Sequence, residues 1–366
     1  LRSNLPMVAN GRSNMSKKIL QFILFIGLGG TILGLVFYSQ NKAFQEQCRL
    51  DGVPSEQCSL MDKLFFDFST VHIGWLASVL LAFTISNIYR ALRWQMLLQP
   101  MGYQVRFSNS FLTILLGYFA NLGFPRMGEL IRAGSLARYE KIPLEKVMGT
   151  LVIDRLMDFV CLALIIGLAF MLEGQTLLHF IEHRKQGATA ASGVSVWLIL
   201  LALAGAGLLV LLLFRKRLMQ LALVIKIIAL LQGFWEGFKS VFRLKNPLLF
   251  LLYSLGIWLM FYLQCWLNLR AFPPTEHLTA SAALMVFVFG TLGFVIPSPG
   301  GMGTFHALCI AGLALYGING GDAFSYANIA FFTVQIFYNL VAGVSALVLL
   351  PILNKAKPDV TVVKQS

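Results

Sequence analysis

Charge is what this 366-residue sequence has least of. Asp, Glu, Lys and Arg together make up 12% of it, about half the share of a soluble globular domain. No polar stretch is long enough to build a soluble domain with a core of its own. The short alternating segments of a membrane β-barrel are also missing, as is the G-x-x-x-x-G-K-[ST] string of a P-loop, so the chain has no P-loop nucleotide site. Acidic side chains are scarce, 16 against 29 Lys plus Arg, for a net charge of +13. Of the five cysteines, Cys48 and Cys58 share one polar segment and could pair if that side is oxidising. Cys161, Cys265 and Cys309 sit among apolar residues as filler.

What is present is apolar. Hydrophobic residues fill 57% of the positions and the mean hydropathy is +0.75. Runs of about 20 apolar residues recur, each long enough to cross ~30 Å of hydrocarbon. Lipid offers no partner for backbone N–H and C=O groups, so such runs must be helical. The sequence therefore predicts an all-α, polytopic transmembrane bundle. The positive charge is explained by cytoplasmic loops rather than by nucleic acid, which is not an expected partner. Met15-Ser-Lys-Lys before the first apolar run reads as a natural start, with residues 1–14 an upstream extension, 15–354 one membrane domain and 355–366 a cytoplasmic tail.

Full spans are expected at 19–39, 71–89, 147–172, 193–214, 247–269 and 323–350. Two stretches differ. Residues 109–124 run straight into Phe124-Pro125-Arg126-Met127-Gly128-Glu129. Residues 279–296 end in Pro297-Ser298-Pro299-Gly300-Gly301-Met302-Gly303, and a second apolar stretch, 304–318, follows at once. Both read as re-entrant hairpins that break at Pro and Gly, although two short spans at 279–318 would satisfy the charges equally well. With six crossings, both termini are cytoplasmic and the inner segments hold 20 Lys and Arg against six outside. Making 109–124 a crossing would reverse that to eight against 18, so the positive-inside bias favours the hairpin. The hairpins then open to opposite sides, as in an inverted-topology repeat; no clear identity between the halves accompanies it. Residues 218–245, with Lys226, Trp235, Lys239 and Arg243, suit a helix lying on the inner leaflet or an ordinary basic loop.

The ionisable residues that carry chemistry lie in 117–158. Arg126, Glu129 and Arg132 recur at intervals of three, where helical neighbours can pair. Asp154 and Asp158 are one turn apart, with Arg155 between them. These last three lie well inside a span, and facing lipid they would cost about 9 kcal/mol together. They must pair, most economically with the tip of the first hairpin, or face a wet cavity. A structural ion-pair cluster is one outcome. A phosphate site is the other, because guanidinium binds phosphate bidentately and a helix N-terminus adds oriented donors. The Gly-rich run offers flexible backbone, with Thr304 placed to cap the next helix. His306 could relay protons or make one structural hydrogen bond, and Gln335, Tyr338 and Asn339 add polar groups to the last span.

Three further patterns carry less. His179, Glu182 and His183 match an inverted zinc-protease string but sit in a short outer loop without a third ligand. Asp154 and Asp158 could hold a divalent metal for prenyl or phosphoryl chemistry. Gly30 and Gly34 form a helix-packing pattern common by chance. No cofactor is expected.

Asn121, Pro125-Arg126-x-Gly128-Glu129-x-x-Arg132, Asp154-Arg155-x-x-Asp158 and Pro299-Gly300-Gly301-x-Gly303 together resemble the membrane-embedded flippase region of lysylphosphatidylglycerol synthases and its stand-alone relatives. The likeness runs over roughly residues 20–350. It implies a bacterial plasma-membrane protein that moves a phospholipid or lipid-linked phosphate between leaflets without being an enzyme. Anionic head groups would be bound by Asn121, Arg126, Glu129, Arg132, Asp154, Arg155, Asp158, Ser298, Gly300, Gly301, His306 and Gln335. In that family aminoacyl transfer belongs to a separate soluble domain after the membrane region, and synthase activity is not expected here. Two positions depart from the family pattern: His306 stands where Glu is usual, and Gln335 where a late Arg is common.

Overall fold

The computed structural model describes residues 31–49 except 32, 36, 43 and 47, and residues 58–123, 127–187, 244–296 and 298–354. Among them there is helix and no strand, as hydrocarbon demands of an open chain. From Leu60 onward the helices of the described residues are α1 (Leu60–Thr70), α2 (Ile73–Leu98), α3 (Phe107–Gly123), α4 (Gly128–Glu140), α5 (Leu144–Gly187), α6 (Pro247–Ala271), α7 (Ala280–Val295), α8 (Thr304–Ala314), α9 (Gly320–Phe331) and α10 (Asn339–Leu353). A π-helical stretch, Phe332–Tyr338, joins α9 to α10. Polar caps set several starts: Ser59 Oγ accepts from Asp62 N, Thr279 Oγ1 from Ala282 N, and Asn319 Oδ1 from Asp322 N.

Among the described residues four helices are long and apolar enough to span a membrane: Ile73–Met101, Leu144–Phe180, Pro247–Ala271 and Gly320–Leu353. They correspond to four of the six expected spans. The span expected at 193–214 and most of that at 19–39 lie outside the described residues, as does all but the end of 218–245. The chain is a polytopic helical membrane protein. The large apolar exposure of α5, α6 and α10, including Phe159, Met171, Leu252 and Val348, is the outer surface such a protein turns to lipid.

Both short apolar stretches fold back on themselves. In the first hairpin α4 returns against α3 with glycine at the contact: a Cβ on Gly117 would sit 2.9 Å from Gly128 O, and one on Gly128 would sit 2.6 Å from Asn121 Oδ1. In the second, a Cβ on Gly293 would fall 2.6 Å from Phe305 Cα. Its turn is made by Gly300, Gly301 and Gly303 at φ of 57°, 82° and 80°, a region costly for residues with a Cβ. The arms α7 and α8 have 16 and 11 residues, roughly 24 and 16 Å, too short to be two spans of a ~30 Å core. The turn Pro299–Gly301 touches α3, so the two hairpins meet. Gly343 packs against Phe119, which lays α10 along α3.

One expected cap is different. Gly303, not Thr304, precedes α8; the Thr304 hydroxyl instead donates across the hairpin to Gly293 O at 2.8 Å. A disulfide joins Cys48 to Cys58. Near it, Lys63 bridges Asp67 at 2.8 Å and Asp322 at 2.6 Å, fastening α1 to the start of α9.

Candidate functional site

Three helices converge on one buried charged cluster. From α5 come Asp154 and Asp158, from α4 comes Arg132, and from α2 come Arg90 and Arg93; none is more than 9% exposed. Asp154 receives Arg93 Nη2 at Oδ1 and Arg132 Nη2 at Oδ2, the latter at 3.0 Å. Asp158 receives Arg93 Nη2 at 2.8 Å and Arg90 Nη1 at 3.2 Å. Arg93 also donates to Ser254 Oγ on α6 at 3.3 Å. Arg132 lies over the Trp94 ring with Cζ 5.0 Å from its centroid. Trp94 is held in turn by Nε1 donating to Thr150 Oγ1 at 2.9 Å.

Glu129 and Arg155 form a second, outer tier. Arg155 Nη2 pairs with Glu129 and Nη1 reaches Asp158 Oδ2 at 3.3 Å, while the Arg155 and Glu129 side chains remain 42% and 44% exposed. The inner tier is closed, and Glu129–Arg155 is its outward edge. Within the inner tier three guanidiniums face two carboxylates, leaving one positive charge over. The Nε atoms of Arg90, Arg93, Arg132 and Arg155 have no hydrogen-bond partner.

The structure brings together Glu129, Arg132, Asp154, Arg155 and Asp158, as their spacing implies, but with different pairing. Glu129 meets Arg155 and Arg132 meets Asp154. Arg126 lies outside the described residues. Asn121 uses its side-chain oxygen to accept from Gly128 N at 2.8 Å, which closes the hairpin and caps α4. Ser298, Gly300, Gly301 and His306 belong to the second hairpin. Ser298 bonds Thr304 at 2.6 Å; Gly300 is exposed at the turn; Gly301 is covered by Phe294. The buried His306 accepts from Gly303 N at Nδ1, 3.4 Å, and packs on Phe331. None of these contacts reaches the charged cluster. Gln335 lies in the π stretch, where its carbonyl and side-chain oxygens each accept from Asn339 Nδ2 at 3.3 Å.

Arg90 and Arg93 are the residues that sequence reasoning assigns to a cytoplasmic loop. The signal was available: Arg90-Ala-Leu-Arg93-Trp94 continues the apolar pattern to Leu98, and α2 runs 26 residues to that point. With these two and Arg132 removed from the loops, the inside–outside tally of Lys and Arg becomes seventeen against six.

The metal pattern fares differently. Among the described residues no three His, Cys, Asp or Glu side chains converge to hold a metal, and guanidiniums occupy the oxygens of Asp154 and Asp158 that a cation would need. His179 and Glu182 lie on the continuing helix α5 rather than in a loop; the His183 side chain lies outside the described residues.

Comparison with known proteins places this geometry in context. The family model "Lysylphosphatidylglycerol synthase TM region" matches residues 61–342, which takes in both hairpins and all three helices of the cluster. A UPF0104 membrane protein of Methanocaldococcus jannaschii is 35% identical over 86 residues, 22% of this chain and 26% of the relative. The match thus spans about a quarter of that curated relative's length. No solved structure matches. The chain belongs to the lysylphosphatidylglycerol synthase transmembrane-region family.

Proposed function

We propose that the protein carries a phospholipid, or another lipid-linked phosphate, between membrane leaflets, binding the phosphate at the arginine cluster and leaving the lipid covalently unchanged. The observation that carries this reading is the imbalance of the inner tier. Three buried arginines oppose two aspartates, and their Nε donors have no partner. An uncompensated buried charge is costly, so the cluster is tuned to accept one more anion. A phosphate meets the guanidinium geometry and supplies the missing acceptors.

The arrangement corresponds to a closed conformation. Opening would require the half-exposed Arg155 to release Glu129 and Asp158. The head group would enter there while the acyl chains stay in lipid along the apolar faces of α5 and α10. The two hairpins, meeting at α3 and the Pro299–Gly301 turn, would gate the two sides. In this reading the protein sits in a bacterial plasma membrane with both termini cytoplasmic. That orientation is supported by the Lys and Arg excess of the inner segments and by the disulfide of the opposite side, since disulfides persist in oxidising compartments.

The test is reconstitution in liposomes with lipids labelled on an acyl chain, with leaflet exchange followed by a membrane-impermeant quencher and lipid mass by mass spectrometry. Exchange of an anionic lipid above protein-free vesicles, with mass unchanged, is the expected result. Absence of exchange, or a covalently altered lipid, overturns the reading.

A further inference from the structure

The span Gly320–Leu353 is attached to different neighbours on the two sides of its π stretch. In its first half, α9, Asp322 bridges Lys63 of α1 at 2.6 Å, and the Tyr326 hydroxyl donates to Cys265 O of α6 at 3.2 Å. Phe331 packs on Phe305 and His306 of α8, with ring centroids 6.0 and 4.9 Å apart. A buried apolar cluster that includes Leu269, Leu313 and Ala327 fills the space between α6, α8 and α9. The first half is thus part of a frame with α1, α6 and the second hairpin.

The second half, α10, belongs to the first hairpin. Gly343 lies so close to Phe119 of α3 that a Cβ there would collide with that side chain, and Ala346 and Leu350 are buried with Leu112 and Leu115 of α3. At the far end of α10, Asn354 and the buried Asn109 of α3 exchange amide hydrogen bonds at 2.7 and 3.0 Å. Asn109 also donates to Glu140, the last residue of α4, at 2.5 Å. These contacts tie α3, α4 and α10 into one body.

Parting Arg155 from Glu129 moves α4 away from α5. Because α4 is tied to α3 and α10, α10 must follow, whereas α9 is held by the frame. The difference falls on the seven residues between them, Phe332–Tyr338. Their π geometry suits them to absorb it: such stretches are rare and recur at functional sites, and helices kink sharply there, by about 20° or more. Phe332 and Phe337 are half exposed, so this part of the helix is only partly braced by neighbouring side chains. We propose that Phe332–Tyr338 is the hinge of the last span, about which α10 and the first hairpin swing as one body against α9 and the second hairpin. This rests on the opening described for the carrier and identifies its moving part. With 15 residues α10 is roughly 22 Å long, so a bend of about 20° carries its far end roughly 8 Å.

The experiment reads movement. Spin labels are attached to cysteines introduced in pairs at the exposed Phe66, Leu130, Leu252 and Val348 of the full chain, with Cys161, Cys265 and Cys309 changed to alanine. Distances are measured in phosphatidylglycerol-containing liposomes by double electron–electron resonance. Glu129→Gln, which weakens the closing pair with Arg155, supplies the opened state. Between the native protein and Glu129→Gln, the Val348–Leu252 distance, from α10 to the frame, is expected to shift or spread by about 5 Å or more. The distances Val348–Leu130, within the moving body, and Phe66–Leu252, within the frame, are expected to stay fixed. A constant Val348–Leu252 distance, or an equal change in either of the other two, overturns the hinge. Hydrogen exchange of the native protein gives a second readout: amides of 332–338 are expected to exchange about tenfold faster than those of α9 and α10, because a hinge opens locally. Equal protection also overturns it. A protein that bends in this way and moves no lipid loses the carrier reading alone; one that moves lipid with all three distances constant loses the hinge alone.

Discussion

Replacing Asp154 by asparagine keeps the size of the side chain and removes one charge from the centre of the cluster. In the native protein its carboxylate faces Arg93, Arg132 at 3.0 Å and Arg90 at 3.5 Å. Each such pair is worth about 4 kcal/mol at an effective dielectric constant of 20 and 4 Å separation. Part of that is offset because asparagine no longer has to be desolvated as an ion. What remains is the cost of three buried guanidiniums facing one carboxylate, about 3–5 kcal/mol for breaking a buried pair. In a chain of this length that lowers the apparent Tm by about 10 °C. The assay is thermal aggregation of detergent-solubilised protein followed by size-exclusion chromatography. The diagnostic arm is the double variant Asp154→Asn with Arg132→Gln. Arg132 contacts no carboxylate but Asp154 among the described residues, so its removal returns the inner tier to its native surplus of one positive charge. The double variant should regain about 2 kcal/mol relative to the sum of the single changes. A stable Asp154→Asn protein, or strict additivity in the cycle, would refute the view that opposed charge holds these helices together.

Other consequences follow from specific contacts. Gly128→Ala drives a methyl group into Gly117 O and Asn121 Oδ1; the first hairpin must splay, at about 2 kcal/mol or more, measurable as a lower Tm, whereas Gly102→Ala, facing open space on a polar turn, is limited to the strain of its positive φ. Trp94→Phe removes the hydrogen bond to Thr150 and weakens the ring under Arg132, costing about 1–2 kcal/mol by the same assay. Burial works against the Lys63 charge, but hydrogen bonding and attraction from Asp322 and Asp67 outweigh it and raise its pKa above 10.5. A raised folded pKa means the contribution to stability is complete below pH 10.5 and is lost as pH climbs through the higher folded value. Lys63→Met should therefore remove the part of the alkaline fall in Tm that the native protein shows in that window.

The parts of the fold legible in the sequence are those governed by local apolar length and by backbone breakers. The spans at 71–89, 147–172, 247–269 and 323–350 follow from the hydrocarbon thickness alone. The two hairpins follow from Pro125 and Gly128, and from Pro297 to Gly303, because few other residues permit so abrupt a reversal. At the candidate site, Glu129, Arg132, Asp154, Arg155 and Asp158 were legible because ionised groups at such depth must find each other. Arg90 and Arg93 were not read as members, because a charge at the end of an apolar run has two equal meanings: the end of the span, or the beginning of a buried site.

From the order of residues alone one could know that this protein is helical, crosses a membrane several times and must bury opposite charges against one another; each conclusion needs only the energy of one segment in oil. Which charges pair, and that arginines outnumber aspartates at the centre, depended on how α2, α4 and α5 pack. Pairing energy falls off within a few ångströms, so it is decided by distances between segments remote in sequence, which only the tertiary structure sets.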